Sequence, residues 1–272
     1  MSKAEDRVAE IRGTKIGASK KRALIVEGPD DEAAFNQLLR RRAPDWEQTW
    51  ALAPAGGKRE ALKLAALEPT WLVVTDRDEW SDSDVAGHVA AQANLFVLPR
   101  FCLESYLVDP QELWLALPQK QRDKPGVSPP ALQAALLASL GDWQRHAALW
   151  QVINPMWSGL RALGFKDGLL TTDPVADDAS LQQTLQAWAA YVDAAKVYAA
   201  VQTAIVQMRG LAQDEFLRRH LYAKAFYPQV VHRALDQLLG VKPAKVRRVA
   251  LFSTLPLPAD LEPLWQRMGL AR

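Results

Sequence analysis

The chain has 272 residues, of which 49% are hydrophobic and 24% charged, a globular composition that can fill the core of one large or two smaller domains. Lys and Arg number 33 against 31 Asp and Glu, so the net charge of +2 excludes a broadly basic nucleic-acid binder but leaves local basic patches open. The single cysteine, Cys102, excludes a disulfide framework and a cysteine-based zinc cluster. With no signal-peptide pattern and no long apolar run, we expect the chain in the cytoplasm and away from membranes.

The first part of the chain alternates short apolar runs with helical patterns. Residues 1–22 are polar and predict a helical or frayed lead-in. Strands are then predicted at 23–28, 46–53, 70–75 and 95–98, and helices at 30–42, 58–67 and 81–91. This order predicts an α/β core over residues 23–110, in which crossover helices flank a parallel sheet.

Strand signals nearly vanish after residue 110. Residues 111–222 predict a largely helical insertion, and residues 223–272 a C-terminal part that packs back on the core. A long helix is predicted at 180–220, capped by Ser180 and broken near Gly210, with further helices at 226–239 and 258–270 and a short strand or extended run at 251–257. Trp188, Tyr191 and Tyr198 recur at helical spacing and favour a core stripe over a base-stacking surface.

Two of the predicted strands end in acidic residues. Glu27 follows the run at 23–26, with Asp31 four residues later, and Asp76 and Asp78 follow the run at 71–75. If the strand persists through Asp78, Asp76 and Asp78 share a face, because side chains two apart on a strand do so. Parallel strands end at one edge, so we expect these four carboxylates to meet there. Crowded oxygen ligands with few histidines favour Mg²⁺ or Mn²⁺, and one or two such ions activate water for phosphodiester cleavage.

A plainer interpretation of the same acids stays open. Acidic residues are common at strand ends, and Asp30 and Asp31 can cap the following helix. We assign the cap to Asp30 and the metal to Asp31. Basic residues that can meet a nucleic-acid backbone, or can equally be solvated charges, are Lys58, Arg59, Arg77, Arg100 and Arg219, with Arg218 and the stretch 242–248 as further candidates.

The acidic motifs resemble a known domain. Glu27-Gly28-x-x-Asp31 followed by Asp76-Arg77-Asp78 is similar to the Toprim domain, which topoisomerases, bacterial primases, the ribonuclease that matures 5S ribosomal RNA and the OLD-family nucleases share. The resemblance implies a small Toprim-like parallel sheet whose acids bind Mg²⁺ at its rim. It also implies a glycine turn between the two motifs, where this chain has Gly56-Gly57.

Two later segments resemble the OLD-like nucleases in particular. Arg100 followed by Glu104-Ser105-Tyr106-Leu107 is similar to a segment that follows the acidic pair in that group, which implies that Glu104 binds a second metal. Residues 220–226 resemble a histidine-glycine-lysine segment, which implies that Lys224 stabilises charge on the phosphate. The chain departs from that pattern at Ala223, where the family has glycine.

The whole plan resembles the small Toprim proteins encoded beside an ABC-type ATPase, such as the nuclease subunit of PARIS-type phage-defence systems. That resemblance implies a Mg²⁺-dependent endonuclease that the ATPase holds until a phage trigger releases it to cleave RNA such as tRNA, or DNA; a homodimer stays open. No P-loop, dinucleotide fingerprint, G-x-S-x-G elbow or zinc-ligand set is present, which favours a nuclease over the other Toprim activities. Two alternatives remain: a non-catalytic regulatory subunit of an ATPase complex, and a small-RNA maturation nuclease.

Overall fold

A four-stranded parallel sheet organises the fold. The computed structural model describes residues 3–163, 165 and 176–270. Its strands lie in the order β2-β1-β3-β4 and every neighbouring pair is parallel. They are β1 (Arg22–Val26), β2 (Trp50–Pro54), β3 (Leu72–Thr75) and β4 (Leu95–Val97). The predicted α/β class, with a parallel sheet flanked by helices, is therefore confirmed.

The strands are almost continuously apolar because helices cover the sheet. Three helices connect successive strands: α2 (Pro29–Arg42), α3 (Lys58–Leu67) and α4 (Asp82–Ala91). The lead-in forms α1 (Lys3–Ile11), whose Val8 and Ile11 pack with Leu64 of α3 against Ile25 and Val73 of the sheet. Burial on both faces explains why β1 and β3 read as unbroken hydrophobic runs in the sequence.

The strand order places a switch point between β1 and β3. The chain passes from β1 to β2 on one side and then returns to place β3 on the other side of β1. Leu24 pairs with Leu72 and Ile25 with Val73, so the carboxyl ends of β1 and β3 lie side by side. In open parallel sheets, ligands bind in the crevice beyond such neighbouring strand ends.

Beyond β4 the described chain is helical. It contains α5 (Pro110–Ala116), α6 (Gln119–Arg122), α7 (Pro129–Leu137), α8 (Leu140–Ala162), α9 (Asp178–Tyr191), α10 (Ala194–Gly210), α11 (Gln213–Glu215), α12 (Ala223–Phe226), α13 (His232–Leu239), α14 (Ala244–Thr254) and α15 (Glu262–Arg267). The chain divides into two compact units, one of residues 1–138 with 217–272 and one of residues 139–216. None of the helices in the described ranges combines the length and apolar character that crossing a bilayer requires.

Several predicted boundaries were wrong. The run at 251–257, predicted as a strand or extended segment, mostly belongs to α14, which buries Arg247, Leu251 and Phe252 at helical spacing. The predicted strand at 46–53 begins later, because Trp46–Gln48 form a 3₁₀ turn before β2. The first error comes from an apolar run whose local pattern does not distinguish a strand from a helix, and the second from a loose alternation that extends the strand into the turn before it.

The predicted long helix at 180–220 was also wrong in detail. It is divided into α9 and α10, and Asp177 caps α9 by accepting a hydrogen bond from the N–H of Ser180, so Asp177 rather than Ser180 is the N-cap. Asp193 starts α10 in the same way. The predicted core stripe is not buried within the unit of residues 139–216: Tyr198 is 66% exposed.

Candidate metal centre

The first element of the site is a link between the ends of β1 and β3. Glu27 follows the last residue of β1, and Asp76 follows the last residue of β3. The Glu27 Oε1 atom accepts a hydrogen bond of 2.9 Å from the N–H of Asp76, which fixes one acid against the other. The backbone carbonyl of Glu27 also accepts hydrogen bonds from the N–H groups of Gly56 and Gly57, at 3.0 and 2.8 Å. The predicted glycine turn therefore supports the residue that begins the site.

Asp78 reaches the site by a route that differs from the prediction. Strand alternation would place Asp76 and Asp78 on one face only if the strand persisted through Asp78, and this condition is not met, because β3 ends at Thr75. Asp78 instead adopts a left-handed backbone with φ of 50°, and its N–H donates to the carbonyl of Phe101 at 2.6 Å. Left-handed backbone is more accessible to Asp than to most residues. This turn directs the Asp78 carboxylate towards those of Glu27 and Asp76.

Three of the predicted metal ligands form one compact cluster. A carboxylate oxygen from each of Glu27, Asp76 and Asp78 lies within 4.8 Å of the other two. Two lysines reach this cluster. Lys224 Nζ lies 2.8 Å from both Asp76 Oδ2 and Asp78 Oδ1, and Lys58 Nζ lies 3.0 Å from Asp78 Oδ2. The ammonium groups supply part of the positive charge that the clustered acids need.

Lys224 occupies its position without the family's glycine. Ala223, the residue before it, is fully buried and starts α12. Asp78 is the only described non-glycine residue with a positive φ, so the backbone at Ala223 has no conformation that requires glycine. The departure from the family pattern therefore does not keep the Lys224 side chain from the acids.

Asp31 and Glu104 lie beside the three-acid cluster, but each also has a partner of its own. Asp31 Oδ2 accepts a hydrogen bond of 2.8 Å from the N–H of Gly28, so Asp31, and not Asp30 as predicted, makes the capping contact of α2. Glu104 Oε1 lies 2.8 Å from Arg248 Nη1. Arg248 also forms an ion pair with Asp30. Asp31 and Glu104 therefore border the cluster, and Arg248 neutralises this flank.

Burial and mutual repulsion raise the pKa values of the clustered acids. The pKa of Glu27 rises to about 8, first through burial and then through the charges of Asp76 and Asp78. Burial and the charge of Asp76 raise the pKa of Asp31 to about 7. Burial raises the pKa of Asp76 to about 6, although the Lys224 ammonium opposes this shift. Shifts in this direction mean that burial and the neighbouring acids together outweigh the nearby cations.

The predicted nucleic-acid contacts are placed very differently from one another. Arg100 is only 5% exposed and binds Glu112 and Asp260, so its side chain stabilises the interior. Arg59 is exposed at the start of α3. Lys58 contacts the acid cluster as described above, and its Nζ also lies 3.7 Å from the centre of the Trp80 ring. Arg77 and Arg219 both contact Asp82.

Sequence reasoning missed two residues at the Glu104 flank. Arg248 lies in the basic stretch 242–248, but nothing in that stretch indicates that this arginine rather than its neighbours faces Glu104. Tyr227 is buried, its hydroxyl has no hydrogen-bond partner among the described residues, and the charges of Arg248 and Glu104 both act on its pKa. Only the packing of the C-terminal helices brings these groups together.

The donor set fits a hard divalent cation. Carboxylate oxygens alone form the cluster, and such ligands suit Mg²⁺ or Mn²⁺ better than zinc. Glu27, Asp76 and Asp78 would hold the ion, with Asp31 and Glu104 close enough to act electrostatically on Asp76.

Comparison of the chain with known protein families and with curated proteins finds no match to either.

Proposed function

We propose that the chain is a Toprim-like, Mg²⁺-dependent endonuclease that cleaves phosphodiester bonds in RNA or DNA. The observation that carries the proposal is the cluster of Glu27, Asp76 and Asp78 at the switch point of the sheet, with Lys224 2.8 Å from two of these acids. Clusters of carboxylates beside a lysine, at the carboxyl edge of a parallel sheet, are suited to binding a cation together with a phosphate.

The acids, Asp31 among them, would hold Mg²⁺ or Mn²⁺, and the resemblance to OLD-like nucleases adds Glu104 as a ligand of a second ion. When bound, the cation supplies Lewis-acid polarisation of a phosphoryl group and a lowered pKa for a water molecule. The chain's own contribution is to hold the acids rigidly. The N–H of Asp76 donates a hydrogen bond to the Glu27 carboxylate, and the N–H of Leu103 donates one to the Asp76 carboxylate. Two of the three carboxylates are therefore fixed before any ligand arrives.

Lys224 is the residue best placed to act on the substrate. Its ammonium lies 2.8 Å from Asp76 and Asp78, and the pKa of Lys224 is raised well above its ordinary value by these acids in spite of burial. The lysine therefore stays protonated at physiological pH. A cation bound to the same acids would compete for them, and the ammonium would then be available to stabilise negative charge on a phosphate.

Cleavage assays with matched variants test this function. Purified protein is incubated with labelled RNA, including tRNA, and with single- and double-stranded DNA, in Mg²⁺, Mn²⁺ or EDTA. We expect metal-dependent cleavage that Glu27→Gln and Asp76→Asn each reduce at least about 100-fold, as expected for loss of a group that stabilises the transition state. Glu47→Gln, which alters an exposed acid, is the control. Cleavage that persists equally in EDTA and in Glu27→Gln would exclude the proposed site.

A specific observation favours a protein partner as well. The unit of residues 139–216 exposes large apolar side chains, among them Trp157, which is 60% exposed, and Tyr198. Protein-interaction surfaces are built from exposed apolar side chains of this kind where they lie together in one patch. We propose that this unit contacts an ABC-type ATPase in an anti-phage system, as the resemblance implies. The proposal requires an ABC-type ATPase gene beside the gene of this chain. Expressed with that ATPase, the wild type and Asp76→Asn should co-purify with it, and the double variant Trp157→Ser, Tyr198→Ser should not.

Co-purification together with assays of phage defence, RNA cleavage and toxicity separates the alternatives. If Asp76→Asn retains both the complex and the defence phenotype, the chain is a regulatory subunit and its acids are not catalytic. If the chain cleaves a single precursor RNA, is not toxic on overexpression and binds no ATPase, it is a small-RNA maturation nuclease.

A further inference from the structure

Arg77, Asp82 and Arg219 form an ion cluster at the start of α4, separate from the three-acid cluster. Arg77 and Arg219 both direct Nη2 at the same atom, Oδ1 of Asp82, and each contact is 2.5 Å long. The two arginines lie 142 positions apart in the sequence, since Arg219 belongs to the turn Phe216–His220 that precedes α12. The fold therefore brings two guanidinium groups to one carboxylate oxygen.

The burial of the three partners is very unequal. The Asp82 side chain is 79% exposed, whereas that of Arg77 is only 11% exposed. An ion pair with so exposed an acid contributes little stability, so the pair does not explain why a largely buried arginine directs its charge outwards. A buried arginine that supports the interior behaves differently here: Arg100 binds Glu112 through two nitrogens, and both partners are mostly covered. Arg77 instead directs its Nη2 atom at an acid that is mostly exposed to solvent.

The contact also leaves most of the binding capacity of the two arginines for another ligand. A guanidinium carries five N–H donors in a planar fork that matches carboxylates and phosphates. Asp82 engages one nitrogen of each arginine, and both contacts fall on a single oxygen of the acid. Asp82 is thus a small anionic occupant of a pair of groups that can bind a larger anion with several oxygens.

The position of this cluster relates it to the acids. Arg77 lies between Asp76 and Asp78, and Asp82 follows Asp78 by four residues. Four residues of extended chain span at most about 14 Å, so the Cα atoms of Asp78 and Asp82 are no farther apart than this. The arginine pair that Asp82 contacts therefore lies beside the acids.

We propose that Arg77 and Arg219 form a clamp for a backbone phosphate of a nucleic-acid strand, and that Asp82 occupies this clamp until the strand displaces it. The inference rests on the proposed nuclease function and adds to it a substrate-binding position beside the metal centre. It makes Asp82 an internal competitor, so that removal of its charge tightens the binding of the strand. Arg219 comes from a distant part of the sequence. In this proposal it determines the affinity for the strand and takes no part in the cleavage step.

Binding measured without metal tests the clamp independently of cleavage. Fluorescence anisotropy of labelled 12-nucleotide RNA and DNA strands is recorded in EDTA at 50 to 300 mM salt for Asp82→Asn and Arg219→Ala. We expect Asp82→Asn to tighten binding about 3- to 10-fold, and Arg219→Ala to weaken it about 5- to 10-fold and to lower the salt slope by about one. Circular dichroism confirms that the variants are folded.

The matched controls are an exposed ion pair at the far end of α2. Arg40 and Glu47 are both exposed and lie 3.7 Å apart, and Arg40 follows Asp31 on α2 by nine residues, or about 14 Å. Glu47→Gln and Arg40→Ala change the net charge exactly as the test variants do, and each should shift affinity by less than 2-fold. If they shift it as much as Asp82→Asn and Arg219→Ala do, the effect is one of net charge and the clamp is wrong.

Two further arms identify the ligand and separate this inference from the proposed function. Unlabelled strand should displace the labelled strand at micromolar concentration, whereas inorganic phosphate at equal ionic strength should not; displacement by millimolar phosphate would indicate a site for the free ion and overturn the proposal. A wild type that binds neither RNA nor DNA contradicts the nuclease function as well as the clamp. A wild type that binds and cleaves, but with an affinity unchanged in Asp82→Asn and Arg219→Ala, contradicts the clamp alone.

Discussion

Replacement of Glu27 by glutamine is expected to make the metal-free protein more stable while abolishing its activity. Burial and the charges of Asp76 and Asp78 raise the pKa of Glu27 from an ordinary 4.5 to about 8, so ionisation of this acid opposes folding. Glutamine keeps the shape and retains an oxygen that can accept the N–H of Asp76. It cannot carry the charge. The variant therefore removes the cost and keeps the contact.

The sign and size of the effect follow from linkage. Between pH 4.5 and pH 8 the folded state binds the Glu27 proton and the unfolded state does not, so wild-type stability falls as pH rises through this window. Each unit of difference between the folded and the ordinary pKa of Glu27 is worth about 1.4 kcal/mol. The stabilisation by Glu27→Gln therefore has an upper limit of about 5 kcal/mol at pH 8 and above. Because the side chain is partly solvated, we expect about 2 to 3 kcal/mol at pH 8 and almost none at pH 4.5.

Thermal unfolding in EDTA, followed by circular dichroism, measures this difference. For a unit of this size about 2 to 3 kcal/mol corresponds to a rise in Tm of about 4–10 °C at pH 8. Glu47→Gln, which removes an exposed acid, should leave Tm within about 1 °C of the wild type. Saturating Mg²⁺ should stabilise the wild type more than Glu27→Gln and so reduce the difference. A variant that is no more stable than the wild type at pH 8, or that gains equally at pH 5, refutes the reasoning.

Three other variants have defined expectations. Lys224→Met should lower the free energy of unfolding by about 1 to 2 kcal/mol at pH 8 in EDTA. The loss should be smaller at pH 5 or in Mg²⁺, because protonated or metal-bound acids need no ammonium. The same variant should reduce cleavage at least about 100-fold. Arg100→Ala should cost about 3 to 5 kcal/mol in urea unfolding, because Glu112 and Asp260 lose a buried partner, whereas Arg40→Ala should cost less than about 0.5. Gly57→Ala should cost about 1 to 3 kcal/mol through backbone strain alone, since its φ is 124° and nothing lies within 4 Å of an added Cβ, a loss that Gly13→Ala should not show.

The sheet and the location of the site were predictable because their signals are local. An unbroken apolar run that stops at an acid, as at Val26 and Glu27, indicates both a doubly covered strand and the edge at which it ends. Repetition of that pattern at Thr75 and Asp76 then brings two acids together, provided that β1 and β3 are neighbours, which the structure confirms. The sequence could not indicate that Asp78 arrives through a left-handed turn, since its φ depends on the contact with Phe101.

The cations of the site were harder to predict because their partners are set by tertiary packing. Lys58 meets Asp78 across 20 positions, and Arg248 meets Glu104 across 144. Neither separation has a periodic signature, and a basic residue in a helix is usually solvated. The same reason explains Arg100, a predicted nucleic-acid contact that the fold places in the interior between Glu112 and Asp260. The sequence thus gives the number of basic residues, but only the tertiary structure determines which of them contact the acids of the site.

The charges around the centre leave a deficit that a divalent ion would fill. Six acids and four basic residues contact one another or act on the cluster. When all are ionised, two negative charges are left over. The acids are Glu27, Asp30, Asp31, Asp76, Asp78 and Glu104, and the basic residues are Lys58, Lys224, Lys245 and Arg248. Without metal, protons fill part of this deficit at neutral pH, since the pKa of Glu27 is about 8 and that of Asp31 about 7.

Binding of Mg²⁺ at pH 7 should therefore release about one to two protons, because the ion requires the ionised carboxylates. Isothermal titration in buffers of different ionisation enthalpy counts these protons directly. The number should fall towards zero by pH 9 while affinity rises, and Glu27→Gln should lose most of the release at pH 7, since Glu27 has the highest pKa of the acids. An ion that binds tightly at pH 7 without releasing a proton would show that the acids are already ionised, and that Lys224 and Lys58 rather than protons balance the metal-free site.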